Sequence, residues 1–220
     1  MAHFIAYQAV NMTTLMPGWD FLYTEPVSFI HTSGEVAVEN ADHSIVIVLK
    51  SVAGHPFTYK MSGPYHLLAG GVIGSLEVDY NGSIAYKFTG LSAPVLGVGA
   101  STHNIAAVLN LFLAGNDKIT GSPFDDVLTG AHGNAIMTGG GGNDTFVFPK
   151  GFGKDVITDF HHGDTIAISH KIFPNFEAVQ DAAHVDAHHH VVITVNAHES
   201  ITLNTVHHVS DLTASEFLFV

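Results

Sequence analysis

The chain has 220 residues, 46% hydrophobic and 12% charged, which supports a buried core and excludes a disordered tail or a coiled coil. Its 7 basic residues face 20 acidic ones for a net charge of −13, and every base is a lysine. With no arginine and no clustered positive charge, nucleic acid and anionic membrane surfaces are excluded as partners. The absence of cysteine removes disulfides and thiolate sites.

The N-terminal MAHFIAYQAVNMTTL lacks a lysine-rich start and an apolar core of signal-peptide length, so no Sec signal is expected. The longest apolar stretches, Leu67–Gly74 and Ile105–Ala114, fall short of the ~20 residues of a membrane span. Residues 1–113 read as an antiparallel β module with one helix. Ser44–Leu49 is a β-branched run of buried-strand type. Leu76, Val78 and Tyr80 alternate with polar neighbours, as do Ile84, Tyr86 and Phe88, and Asn81-Gly82 between them signals a hairpin. Ser101–Leu113 predicts the helix. Ser101 or Thr102 caps it, Ile105, Val108, Leu109 and Phe112 share a face, and Gly115 stands at the C-cap.

Next come blocks of nine residues: GSPFDDVLT, GAHGNAIMT and GGGGNDTFV, preceded by AGNDKIT. Aspartates fall in register at 117, 126 and 144, with Ala135 at the missing step. Six residues turn and three extend, so two blocks make one coil of a parallel β-roll and alternate blocks share an edge. Asp126 and Asp144 then face each other across one site, and Asp117 faces Ala135, which cannot ligate. Glycines permit the turns and leave carbonyls converging. Calcium, a hard cation, takes six to eight oxygens of this kind.

These blocks resemble the GGxGxDxUx calcium-binding repeat of RTX (haemolysin-type) proteins. The resemblance assigns Asp117, Gly121, Asp126, Gly139, Gly141, Gly142, Asn143 and Asp144 to calcium loops over residues 114–148. The Asp117/Ala135 edge is expected to be weak, or served by carbonyls, water or Asn134. Pro123 and Phe124 depart from the pattern where glycines are usual.

Residues 149–220 read as a capping sheet and C-terminal secretion signal. NDTFVFPKGFGKDVITDFHHGDTIAIS is similar to the cap of RTX rolls, with Asp155, Asp159 and Asp164 at its acidic positions. The likeness implies that Asp159 or Asp164 completes a further calcium site. VVITVNAHESITLNTVHHVSDLTASEFLFV predicts a hairpin, Val192–Val195 with Ser200–Leu203 around Asn196–Glu199, and a last strand at Phe217–Val220. This end, like SLEVDYNGSIAYKFTGL, is similar to small alphaproteobacterial RTX proteins. The resemblance implies a type I secretion exporter as partner and a chain that is loose where calcium is scarce and folds outside the cell.

Seventeen histidines are many for this length, and most lie late. His188 and His190 alternate, so on a strand they share a face, with His198 in the hairpin loop nearby. A zinc or copper site there stands beside the reading of these residues as solvated surface. No HExxH, GxSxG or SxxK occurs, and Gly139–Gly142 leads into a strand rather than a helix. Glu77 and Asp79 form a carboxylate pair on one strand.

The sequence therefore reads as a secreted calcium-binding protein with a non-catalytic role at the cell surface or in the matrix, and an extracellular ligand or self-association as its further partner. Two other classes stay open: an extracellular sugar- or lipid-processing enzyme on a β scaffold, and a histidine-rich transition-metal binder.

Overall fold

The computed structural model describes residues 3–6, 28–31, 35–39, 45–51, 53, 58–62, 65–70, 72–80, 83–94, 113 and 115–220. The helix expected over 101–113 lies outside them except for Leu113, which stands in a turn. The chain divides into two compact units, the first holding strands β2 to β8 and the second β9 to β18.

After β1 (His3–Ala6), the first unit runs β2 (Ser28–His31), β3 (Glu35–Glu39), β4 (Ile45–Ser51), β5 (Thr58–Ser62), β6 (Tyr65–Gly70), β7 (Val72–Tyr80) and β8 (Ser83–Pro94). Strands β2, β3, β4, β7 and β8 form an antiparallel sheet in the order β8-β7-β4-β3-β2, and β5 pairs with β6 in a separate ribbon. The Asn81-Gly82 turn itself lies outside the described residues, but Tyr80 pairs with Ser83 across it. Leu76 and Phe88 are cross-strand partners and both are fully buried, as the alternation requires.

The second unit is a parallel β-roll. It contains β9 (Lys118–Thr120), β10 (Val127–Leu128), β11 (Ile136–Thr138), β12 (Thr145–Phe148), β13 (Lys154–Ile157) and β14 (Thr165–Ile168). Next come α1 (Phe176–Ala182), β15 (Ala183–Val185), β16 (Val191–Thr194), β17 (Ser200–Leu203) and β18 (Phe217–Phe219). Successive strands alternate between two sheets, because each short strand ends in a turn that reverses the chain. One sheet holds β9, β11, β13 and β17, all parallel; the other holds β10, β12, β14 and β18, also parallel. The same position of each block points inward: Ile119, Leu128, Met137 and Phe146 are all completely buried. Phe148 packs edge-on against Phe152, ring centroids 5.0 Å apart, and widens the core towards the cap.

Pairing steps 18 residues from Val127 to Thr145 but 20 from Ile136 to Val156, so two extra residues enter between Asp144 and Asp155. The predicted hairpin is present: β16 and β17 pair antiparallel, Val191 opposite Leu203 and Thr194 opposite Ser200. Strand β17 also continues one sheet of the roll in parallel with β13, and β18 continues the other beside β14. The C-terminal strand thus completes a sheet.

The described helix lies in this half, at α1. Asn175 caps it by accepting the Ala178 N–H at 3.0 Å, and Val179 anchors it in the core. Among the described residues no helix is long and apolar enough to cross a membrane.

Candidate calcium site

Each coil of the roll turns twice, which stacks loops on two edges. On one edge the loops 121–126, 139–144 and 158–164 lie in successive coils. A hydrogen-bond ladder ties them together: Asp126 N–H donates to Asp144 Oδ1 and Asp144 N–H to Asp164 Oδ1, each at 2.9 Å. Ser122 N–H donates to Asp126 Oδ2 at 2.5 Å. Asp126, Asp144 and Asp164 are all at most 2% exposed. Asp159 closes the loop above Gly139, accepting the N–H groups of Gly139 and Gly140 at 2.8 and 2.9 Å. Gly141, Gly142 and Asn143 form the outer turn, where Asn143 N–H donates to Asp125 Oδ1 at 2.7 Å.

The glycines at the start of each loop line a cradle that a side chain would fill. A Cβ at Gly121 would meet the Gly139 carbonyl oxygen and lie 2.6 Å from Asp126 Oδ2; one at Gly139 would strike Asp144 Oδ2. Small residues therefore leave Asp126 Oδ2 and the Gly139 carbonyl facing the space at Gly121, and Asp144 Oδ2 facing that at Gly139. Asp144 shows the electrostatic consequence. Burial pushes its carboxyl up to about 6 despite the Asp126 N–H, and the negative charges of Asp164, Asp126 and Asp159 push the same way. Crowded, buried, hard oxygen donors fit calcium, and the donor set is two carboxylates with backbone carbonyls rather than a carboxylate cluster. Among the described residues no three histidine or acidic side chains gather to hold a metal.

The other edge carries Asp117, then Ala135, then Asp155. Gly115 N–H donates to Asp117 Oδ2 at 3.3 Å, and Ala135 N–H donates to Asp155 Oδ1 at 2.8 Å. Asn134 accepts the Lys154 N–H at 2.8 Å while its own N–H donates to Asn116 Oδ1 at 3.2 Å, a rim of amides outside the aspartate row. Burial pushes the Asp155 carboxyl up to about 7, opposed only by the Ala135 N–H. The nine-residue count did not bring Asp155 to this edge, because the two-residue insertion takes it out of step. The signal was the local spelling Gly151-Phe152-Gly153-Lys154-Asp155, which parallels Gly140-Gly141-Gly142-Asn143-Asp144.

The histidines are placed differently from the strand geometry expected of them. His188 and His190 sit in the turn between β15 and β16, where Asp186 Oδ1 accepts both of their N–H groups at 2.8 Å. Such side-chain capture of nearby backbone competes with a strand ladder. Their rings stack at 6.0 Å. His198 lies in the β16–β17 loop, its N–H held by Asn196 Oδ1 at 2.8 Å. A zinc or copper centre gains no support. His161 is used otherwise: its Nδ1 donates to Asp164 Oδ2 at 2.7 Å, and that bond raises its pKa.

A two-sheet parallel roll whose glycine-rich turns stack buried aspartates defines the class, a calcium-type β-roll. Residues 113–146 match the family model of the RTX calcium-binding nonapeptide repeat in four copies, and the chain carries that repeat array. No curated protein matches the chain. Among solved structures, the extracellular lipase LipA from Serratia marcescens is similar at 13% identity with a TM-score of 0.38, covering 88% of this chain and 31% of that one. The chain thus spans under a third of that lipase.

Proposed function

We propose that the protein is secreted, binds calcium between the loops of Asp126 and Asp144, and folds its roll on doing so outside the cell, without catalysis, at the cell surface or in the matrix. The observation that supports this best is the Asp126–Asp144 ladder facing the Gly121 and Gly139 cradle. Bound calcium supplies the positive charge that offsets the buried carboxylates. Asp126 and Asp144 hold it, the Gly139 carbonyl adds a neutral oxygen, and Gly141, Gly142 and Asn143 shape the turn. Asp117 stands at the start of the opposite edge, and Asp159 and Asp164 close the loops at the cap.

In this reading residues 1–113 are a β module, 114–148 the calcium-binding roll, and 149–220 the cap with a C-terminal signal addressed to a type I exporter. The test is calcium titration by calorimetry on chelator-stripped protein, with circular dichroism in parallel. Binding of calcium with a gain of β signal is expected. A chain with the same spectrum in chelator and in calcium would overturn the proposal.

A further inference from the structure

The capping sheet gathers histidines at one end. His188, His189 and His190 follow one another in the turn between β15 and β16, and His207 and His208 follow β17. All are exposed except the half-buried His190. His207 Nδ1 donates to the His189 carbonyl oxygen at 2.8 Å, and Val191 N–H donates to the Val206 carbonyl oxygen at 2.9 Å. The two segments are thus held side by side. The rings of His188 and His190 lie nearly parallel, with centroids 6.0 Å apart. With its Nδ1 engaged, His207 offers Nε2 outward.

Backbone bonding fixes this arrangement in advance of any ligand. Asp186 Oδ1 holds the N–H groups of His188 and His190, Asp186 N–H donates to the His190 carbonyl oxygen at 2.9 Å, and His189 N–H donates to that of Asp186 at 3.1 Å. His189 sits at φ 65°, a left-handed conformation that glycine adopts more readily. The turn nevertheless presents an imidazole there.

Positive charge in this region comes from histidine alone, since no lysine follows Lys171 and the chain has no arginine. The acidic groups around the turn are Asp186 within it, Asp211 in the short helical turn Val209–Asp211 packed on β15, and Glu177 and Asp181 in α1, which packs on β16. Strands β15, β16 and β17 carry no acidic residue. The His190 N–H, helped by that of His188 and by both imidazoles, holds the Asp186 carboxyl below its ordinary value, and Asp186 Oδ2 lies 3.6 Å from His190 Nδ1. Histidine gains its proton between pH ~8 and ~5. Over that interval these five and the exposed His184 of β15 add as many as six positive charges against the four acidic groups, so the surface passes from negative to positive.

A surface that turns positive in acid selects an anion, and its form narrows the kind. The donors are single N–H groups spread over two adjoining segments, which suits charges repeated along an extended polymer. Residues 183–208 contain no Phe, Tyr, Trp, Lys or Arg, so nucleic-acid bases find no stacking platform and a bilayer finds no aromatic or basic anchor. We propose that the turn 186–190, with His207 and His208, is an acid-gated docking surface for an acidic polysaccharide, whose carboxylate or sulfate groups accept imidazolium N–H bonds and are released as the pH rises. The proposal rests on the reading of the protein as extracellular and gives its surface or matrix role a partner.

The experiment is binding of the calcium-saturated full chain to dextran sulfate at pH 5.5 and pH 7.5, by calorimetry, with neutral dextran and vesicles of phosphatidylglycerol and phosphatidylcholine alongside. Two triple variants, each checked for β signal by circular dichroism, separate the surface from net charge. His188→Gln/His190→Gln/His207→Gln empties the surface, and His132→Gln/His170→Gln/His198→Gln removes the same charge elsewhere. Wild-type affinity for dextran sulfate is expected to rise ~10-fold or more from pH 7.5 to pH 5.5, the first variant to lose most of that gain, and the second to keep it. Equal loss in the two variants, affinity indifferent to pH, or equal binding of neutral dextran overturns the proposal. Vesicles bound more tightly than dextran sulfate overturn it in favour of a membrane surface. A chain that binds dextran sulfate as expected but whose circular dichroism ignores calcium overturns the calcium reading alone.

Discussion

Replacing Asp144 by asparagine should stabilise the protein without calcium and weaken its response to calcium. The carboxyl titrates at about 6 in the fold against an ordinary 3.8, because it is buried and surrounded by Asp164, Asp126 and Asp159. At pH 8 it is ionised in both states, and holding the charge in the fold costs about 3 kcal/mol. Asparagine keeps an oxygen for the Asp126 N–H and removes the charge. Calcium-free Asp144→Asn is therefore expected to unfold at most about 3 kcal/mol later than wild type, or roughly 10 °C higher for a unit of this size. Calcium at ~100 times its dissociation constant contributes about 2.7 kcal/mol to the wild type, nearly the same amount, and little to the variant. The assay is urea and thermal unfolding in chelator and in saturating calcium. A variant less stable than wild type in chelator, or one with an undiminished calcium shift, refutes the reasoning.

Three further outcomes follow from the same geometry. Asp144 and Asp155 both titrate above the ordinary carboxylate value, at about 6 and about 7. The stability they confer is full below pH ~4 and lost as pH rises through those values. Calcium-free protein should thus have a higher urea midpoint at pH 5 than at pH 8, and a midpoint that rises over that interval would contradict the assigned burial. Gly139→Ala places a methyl on Asp144 Oδ2 and should abolish calcium binding between the Asp126 and Asp144 loops, measured by calorimetry, with unchanged binding as the disproof. Asn175→Ala removes the cap that accepts the Ala178 N–H and should cost ~1 kcal/mol in urea unfolding with no change in calcium affinity.

The roll was legible in the sequence because its geometry is local. Aspartates at 117, 126 and 144 and buried residues at 119, 128, 137 and 146 keep a nine-residue step. The Asp126–Asp144 pairing follows from that step alone. Asp155 was not legible as the partner of 135, since Pro149-Lys150 and their neighbours lengthen the coil by two residues and only the folded chain shows the register restored. The parallel contacts of β17 with β13 and of β18 with β14 join segments far apart in sequence, which periodicity does not report. Helix α1 is too short for a hydrophobic stripe and shows itself mainly through Asn175. The turn at 186–190 was hidden for a similar reason: Asp186 captures two N–H groups that alternation would have given to a strand.

The direction of the aspartate ladders has a consequence for how the roll assembles. Asp126 N–H is served by Asp144 and Asp144 N–H by Asp164, as Ala135 N–H is by Asp155. The outer rim runs the other way: Asn134 N–H is served by Asn116, Asn143 N–H by Asp125 and Lys154 N–H by Asn134. In a quasi-one-dimensional stack where each turn leans on its neighbour, the two opposed rows clasp every junction from both sides. A coil in the middle of the stack therefore both lends and borrows side chains, and its loss breaks contacts above and below it.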